Sequence, residues 1–217
     1  MTKSLPLLAV LLLALPATAE PLGPSEVVRR TADEVLEVLR QKERPLAERR
    51  RMIEEIAYRR FDVETMSRLV LARHWRRFNP SQRETFIEEM KRHLVVNYGD
   101  RLDRYDQQGV EIRGERPEAR GDVTVRTRIV GGEGDPLSVD YRLRRRDGGP
   151  WMVIDVIVEG VSVLKSYRSQ FQEILGNGTP EGLLQRLREK NDAAAADSTS
   201  AEDSGEAAPA AADPATG

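Results

Sequence analysis

Asp122-Val123-Thr124-Val125-Arg126-Thr127-Arg128-Ile129-Val130 sets Val123, Val125, Thr127 and Ile129 against Thr124, Arg126 and Arg128. Leu137-Ser138-Val139-Asp140-Tyr141-Arg142-Leu143-Arg144-Arg145 repeats the alternation, with Leu137, Val139, Tyr141 and Leu143 as its apolar set. Period two marks a strand with one face on a core and the other toward water. Gly131-Gly132-Glu133-Gly134 separates the two runs and Asp147-Gly148-Gly149 follows the second, so an antiparallel meander is expected. Trp151-Met152-Val153-Ile154-Asp155-Val156-Ile157-Val158 is different, being apolar on both faces apart from Asp155. That pattern predicts a central strand covered on both sides. Val110 to Gly114 adds a weaker first strand.

On either side of these strands the apolar period lengthens to that of a helix. Ser25 is placed to cap a helix carrying Val28, Ala32, Val35, Leu36 and Leu39. A second helix runs from about Pro45 with Leu46, Ile53, Ile56 and Ala57 inward, and a shorter one spans Val63 to Leu71. Asn79-Pro80-Ser81-Gln82 is a strong helix start: Asn79 caps, Pro80 fits the first turn, and Gln82 reaches back. The helix it opens carries Phe86, Met90, Leu94, Tyr98 and Leu102 in one stripe. Helix returns from about Leu164 to Leu175, closes at Gly176-Asn177-Gly178 and restarts at Thr179-Pro180-Glu181. Helices before and after a twisted antiparallel sheet of about four strands make an α+β domain.

The ends of the chain read differently from its middle. Lys3, the apolar run Leu5 to Leu15 and Ala17-Thr18-Ala19 have the order of a cleavable signal peptide over residues 1–19. The apolar run is about half of the roughly 20 residues a spanning helix needs. The chain has no cysteine, which excludes disulfides, thiolate metal sites, a cysteine nucleophile and a lipidated mature end. Residues 192–217 hold only Ala, Asp, Glu, Ser, Thr, Pro and Gly, and are expected to form a disordered acidic, Ala-rich tail. Asp192, Asp197, Glu202, Asp203, Glu206 and Asp213 concentrate negative charge there, whereas the whole chain is only −2. Residues 20–191, one domain by length, are therefore mildly basic. That bias is too weak to point to nucleic acid.

Few residues have the spacing of an active site. His74 and His93 each sit alone on a predicted helix, outside any HExxH-like pattern. Glu159-Gly160-Val161-Ser162 lacks the second glycine of a nucleophile elbow, so Ser162 reads as a helix cap or turn residue. Asp155 is a carboxylate in an apolar strand and needs a partner. Two readings follow: a structural ion pair, with Arg168 as the partner, or an acid–base residue in a small cone-shaped α+β enzyme.

The run Trp151 to Leu164, with Asp155, Val156, Val158, Glu159, Gly160, Val161 and Ser162, resembles the hallmark of the MlaC (toluene-tolerance, Ttg2-type) family, roughly W-K-V-x-D-V-x-V-E-G-V-S. Tyr167-Arg168-Ser169-Gln170-Phe171 is similar to its Y-R-x-Q-F. Phe61-Asp62, Trp75, Pro80-Ser81-Gln82-Arg83, Phe86, Tyr98 and Val139-Asp140-Tyr141-Arg142-Leu143 fall in the family's order. Ile154 stands where the family commonly has an aromatic residue, and the tail is longer than the family core.

The resemblance implies a cone-like fold with an apolar cavity between helices and sheet that holds phospholipid acyl chains. It further implies a periplasmic carrier, without cofactor, metal or catalytic residues. Its expected partners are an inner-membrane ABC transporter complex bearing an MCE-domain ring and an outer-membrane lipoprotein complex, with the carrier a monomer that maintains outer-membrane lipid asymmetry. A hopanoid or another apolar cargo is the alternative, and an enzyme using Asp155 a further one. Candidate cavity walls are Phe86, Met90, Leu94 and Tyr98 on the long helix. From the sheet the candidates are Val125, Ile129, Val139, Tyr141, Leu143, Ile154, Val156 and Val158.

Overall fold

The computed structural model describes residues 22–102, 108–131 and 135–204, with the backbone alone for 98–102 and 197–204. The signal-like residues 1–19 lie outside the described residues. In chain order the elements are α1 (Pro24–Arg40), α2 (Leu46–Arg60), α3 (Val63–Leu71) with a 3₁₀ turn at Ala72–Arg77, and α4 (Pro80–Leu102). Strands β1 (Gly109–Pro117), β2 (Val123–Val130), β3 (Leu137–Arg145), β4 (Trp151–Val158) and the short β5 (Val161–Ser162) follow. Helices α5 (Val163–Asn177) and α6 (Pro180–Ser204) close the order. The fold is α+β, its five strands forming one open antiparallel sheet in sequence order.

Helix starts follow the local chemistry. Asn79 and Gln82 form a reciprocal capping box, Gln82 N donating to Asn79 Oδ1 at 2.9 Å and Asn79 N to Gln82 Oε1 at 2.8 Å. Ser25 does not cap α1, which has Gly23 at its N-cap. It instead ties the helix to the sheet, donating from Oγ to Glu115 Oε1 at 2.6 Å. At the other end of the sheet, Glu159 and Gly160 turn β4 into β5 with φ of 46° and 80°. Two left-handed residues are what a two-residue hairpin matched to strand twist requires. Gly178 closes α5, because a Cβ there would lie 2.5 Å from the Ile174 carbonyl oxygen.

Period two places Val123, Val125, Thr127 and Ile129 on the inner face with Leu137, Val139, Tyr141 and Leu143, and β4 joins them through the pairs Leu143–Val153, Tyr141–Val156 and Val139–Val158. A bulge at Ile154 makes this register possible, since Arg142 pairs with Asp155 and Leu143 with Val153. β4 is not the central strand its composition suggested. It lies beside β3, and its other edge meets the short strand β5 and, at Val153, Phe61 through an isolated parallel bridge. Its double coverage comes from helices: Val153 packs with Val27 and Val28 of α1, while Ile154 packs into the helical core.

That helical core joins α3, α4, α5 and α6. Phe78, Phe86, Phe171 and Tyr167 form a run of ring contacts 5.7 to 5.9 Å apart, ending on His93 at 5.1 Å. A buried polar link fastens α6 to α4: His93 Nδ1 lies 2.7 Å from Asn191 Oδ1, and Asn191 Nδ2 donates to the Glu89 carbonyl at 3.0 Å. This link corrects the expected boundary of the tail. Helix continues from Asp192 to Ser204 rather than giving way at 192. Asn191 anchors it, Arg92 pairs with Asp192 at 2.6 Å, and Ala193 to Ala196 are the best helix formers available. Residues 205–217 lie outside the described residues.

Candidate functional site: the inner face of the sheet

Packing divides the candidate wall residues into core and uncovered surface. Phe86 and Met90 have no exposed surface and sit within the helical core together with Ile154. Val125 and Leu143 are equally buried, against Val27, Val28 and Val153. Ile129, Tyr141, Val156 and Val158 are only half-buried, and Val139 between them is 7% exposed. Leu94 on α4 is half-buried beside the helical core, as is Val156, which touches both clusters. Tyr98 lies in α4, but its side chain is outside those described.

The inner face thus runs from a closed end to an incompletely covered one. At the closed end, Val125, Leu143 and Val153 seal against α1. Toward the other end, the pairs Tyr141–Val156 and Val139–Val158 present adjoining apolar side chains, with Ile129 and Leu137 paired beyond them. The bulge removes Ile154 from this face, because Val153, Val156 and Val158 occupy it on β4. Sequence reasoning listed alternate β4 residues and therefore missed Val153. The cluster of Val153 with Val125 and Leu143 reveals it, and nothing in the local sequence does.

Tyr141 is the polar exception on this face. Burial pushes its phenol up to about 12, so it stays protonated and can act as a hydrogen-bond donor. Among the described residues its hydroxyl has no hydrogen-bond partner. A lone donor on an apolar wall can orient a ligand oxygen while the surrounding surface excludes water.

Asp155 does not pair with Arg168. Its Oδ2 accepts from Ser162 Oγ at 2.7 Å and its Oδ1 from the Leu164 amide at 3.1 Å, while Arg142 Nη1 stands 3.5 Å away. Arg168 is occupied elsewhere, its Nε donating to the Leu69 carbonyl at 2.8 Å and so satisfying the end of α3. The correction has a geometric cause: Arg142 is the cross-strand neighbour of Asp155, whereas Arg168 points past it to α3. Held by a serine, a helix N-terminus and an arginine, the carboxylate has the setting of a structural clasp. Ser162 caps α5 as read from the sequence, accepting from Lys165 N at 3.0 Å. Among the described residues no group of three His, Cys, Asp or Glu side chains is placed to hold a metal. No described helix is long and apolar enough to cross a membrane.

Residues 29–189 match the family model for the MlaC protein. The toluene tolerance protein ttg2D of Pseudomonas putida is 30% identical over 115 residues, 52% of this chain and 53% of that protein. The chain thus spans about half the length of this curated relative. A phospholipid-binding protein from Ralstonia solanacearum, solved in complex with a phospholipid, matches with a TM-score of 0.70 at 26% identity. The match covers 78% of this chain and 97% of that one.

Proposed function

The chain belongs to the MlaC family, and on that premise we propose that it is a phospholipid carrier whose cargo rests against the inner face of the sheet. The observation that carries this reading is the pairing of Val139 with Val158 and Tyr141 with Val156: apolar side chains in register, three of the four only half-buried. The Ralstonia relative, which shares the fold, was solved with a phospholipid. Acyl chains supply the affinity and Tyr141 donates to a ligand oxygen.

Burial of apolar surface is sufficient for such a task. An acyl chain of about fourteen methylenes gains roughly 11 kcal/mol at about 0.8 kcal/mol per CH₂ removed from water. Two chains approach the ceiling of non-covalent affinity before costs are subtracted. Retention therefore needs no catalytic group, and Asp155 is left to structure. The same magnitude makes unaided release slow, so handover takes place on partner surfaces. The carrier works in the periplasm, between an inner-membrane ABC transporter with an MCE-domain ring and an outer-membrane lipoprotein complex, and serves lipid asymmetry of the outer membrane. It is not an enzyme. Fluorescent phospholipid moving from donor to acceptor vesicles in proportion to added protein supports this function. Transfer no faster than in its absence, with lipid still bound, sets aside the vesicle-to-vesicle shuttle.

A further inference from the structure

The opposite face of the sheet carries a second, chemically different recess. Arg142 and Arg144 alternate with Tyr141 and Leu143 along β3 and so project away from the apolar face. Together with Asp122, Asp155, Lys165 and Arg168 they line a cavity of about 110 Å³, floored by Leu69, Ile154 and Leu164. This is well below the roughly 300–1,000 Å³ of sites for drug-sized ligands. Its dimensions are those of an ion or a single small group.

Four cationic side chains face two carboxylates here, and the carboxylates are already engaged. Asp122 takes both arms of Arg144 at 2.7 Å. Asp155 holds Ser162 and the α5 N-terminus. Cationic donors remain. The Lys165 ammonium has no carboxylate within ion-pair distance among the described residues, and the residue is exposed at the rim. Glu118, whose carboxyl is held low by hydrogen bonds from Thr124 and Arg116 and by the nearby Arg142, is committed to those two donors. From this surplus we infer that the recess between β3, β4 and α5 is a binding site for a phosphate oxyanion, with Lys165 Nζ as its direct donor and Arg142 and Arg168 contributing field. A tetrahedral anion balances the excess charge. The site is independent of the lipid-carrier reading, because it lies on the other face of the sheet.

Inorganic phosphate titrated into the full protein, against sodium chloride at matched ionic strength, tests the inference through the backbone amide signals of Leu164 and Lys165. The expected result is a saturable shift in the wild type and about tenfold weaker binding in Lys165→Ala. Phosphatidylglycerol vesicles then separate the sources. Vesicles that compete with phosphate at the same amides identify a lipid headgroup as the ligand, and vesicles without effect there identify a free phosphate. A shift that does not saturate, or one that is equal in the wild type and in Lys165→Ala, overturns the proposal. Vesicle binding without any saturable response to phosphate overturns it too. Because Lys165 is exposed, its variant tests binding without disturbing the core.

Discussion

Ser162 Oγ donates a 2.7 Å hydrogen bond to Asp155 Oδ2, joining strand β4 to the N-terminus of α5 across a two-residue turn. The same hydroxyl accepts from Lys165 N at 3.0 Å, and the other carboxylate oxygen accepts from Leu164 N at 3.1 Å. Two short polar side chains thereby satisfy the first turn of a helix and fix its angle to the sheet. The helix so positioned supplies Tyr167 and Phe171 to the core.

Replacing Asp155 by Asn puts an amide where one oxygen faces Ser162 and Arg142, and removes negative charge from a helix N-terminus. The expected cost is about 1–3 kcal/mol in urea unfolding, with bound lipid retained. Ser162→Ala costs about 0.5–2 kcal/mol as a lost cap. A stable Asp155→Asn protein that had lost a catalytic turnover shown by the wild type would instead mark the carboxylate as an active-site group.

Acid should loosen the junction of α4 and α6. Burial lowers the affinity of His93 and of His74 for a proton below the ordinary histidine value. The unfolded chain, with histidines near pH 6.5, then binds more protons than the folded one as pH falls. Stability present above about pH 6.5 is therefore lost progressively below it. Urea midpoints measured between about pH 7.5 and 5.5 should fall, and His93→Gln should flatten the slope without abolishing it, His74 remaining. A midpoint independent of pH in this range would contradict the assignment.

Asn191 should matter more than any residue after it. Asn191→Leu removes the 2.7 Å contact to His93 Nδ1, leaving that nitrogen only Asn97 at 3.1 Å, and removes the side-chain bonds to Glu89, at an expected cost of about 1–3 kcal/mol. Truncation after Ala196 leaves these bonds in place, and the urea midpoint should stay close to wild type.

Core and cavity are separable by opposite substitutions. Phe86→Ala, at a site with no exposed surface, is expected to cost about 3–5 kcal/mol. Val139→Trp should leave the unfolding midpoint nearly unchanged while abolishing lipid binding, because on the proposed reading its bulk enters the space of the cargo. Were that space filled by protein, overpacking would destabilise the fold by about 1–3 kcal/mol.

Much of this architecture was legible in the residues because one sheet face is apolar and the other charged. The β3 run Leu137 to Arg145 and the box at Asn79 and Gln82 depend on local pattern alone, and both stand in the structure. What could not be read is set by register. The bulge at Ile154 shifts the parity of β4, puts Val153 in place of Ile154 on the inner face, and brings Arg142 rather than Arg168 opposite Asp155. The coverage of β4 by α1 and α5 looks, in one dimension, the same as centrality in a sheet. The extension of α6 past Asp192 depends on Asn191 meeting Glu89, 102 positions away, and composition holds no record of that contact. Of the candidate site, the sheet residues on β2 and β3 were accessible to period two, whereas the division between filled core and uncovered wall belongs to packing.

The central claim is tested most directly by extracting the protein purified from its native host, without detergent, and identifying the released molecules by mass spectrometry. The account predicts phospholipid in near-stoichiometric amount from the wild type and its loss from Val139→Trp. An extract holding another apolar molecule instead would leave a carrier of different cargo, and a wild-type protein free of any lipid would contradict the account.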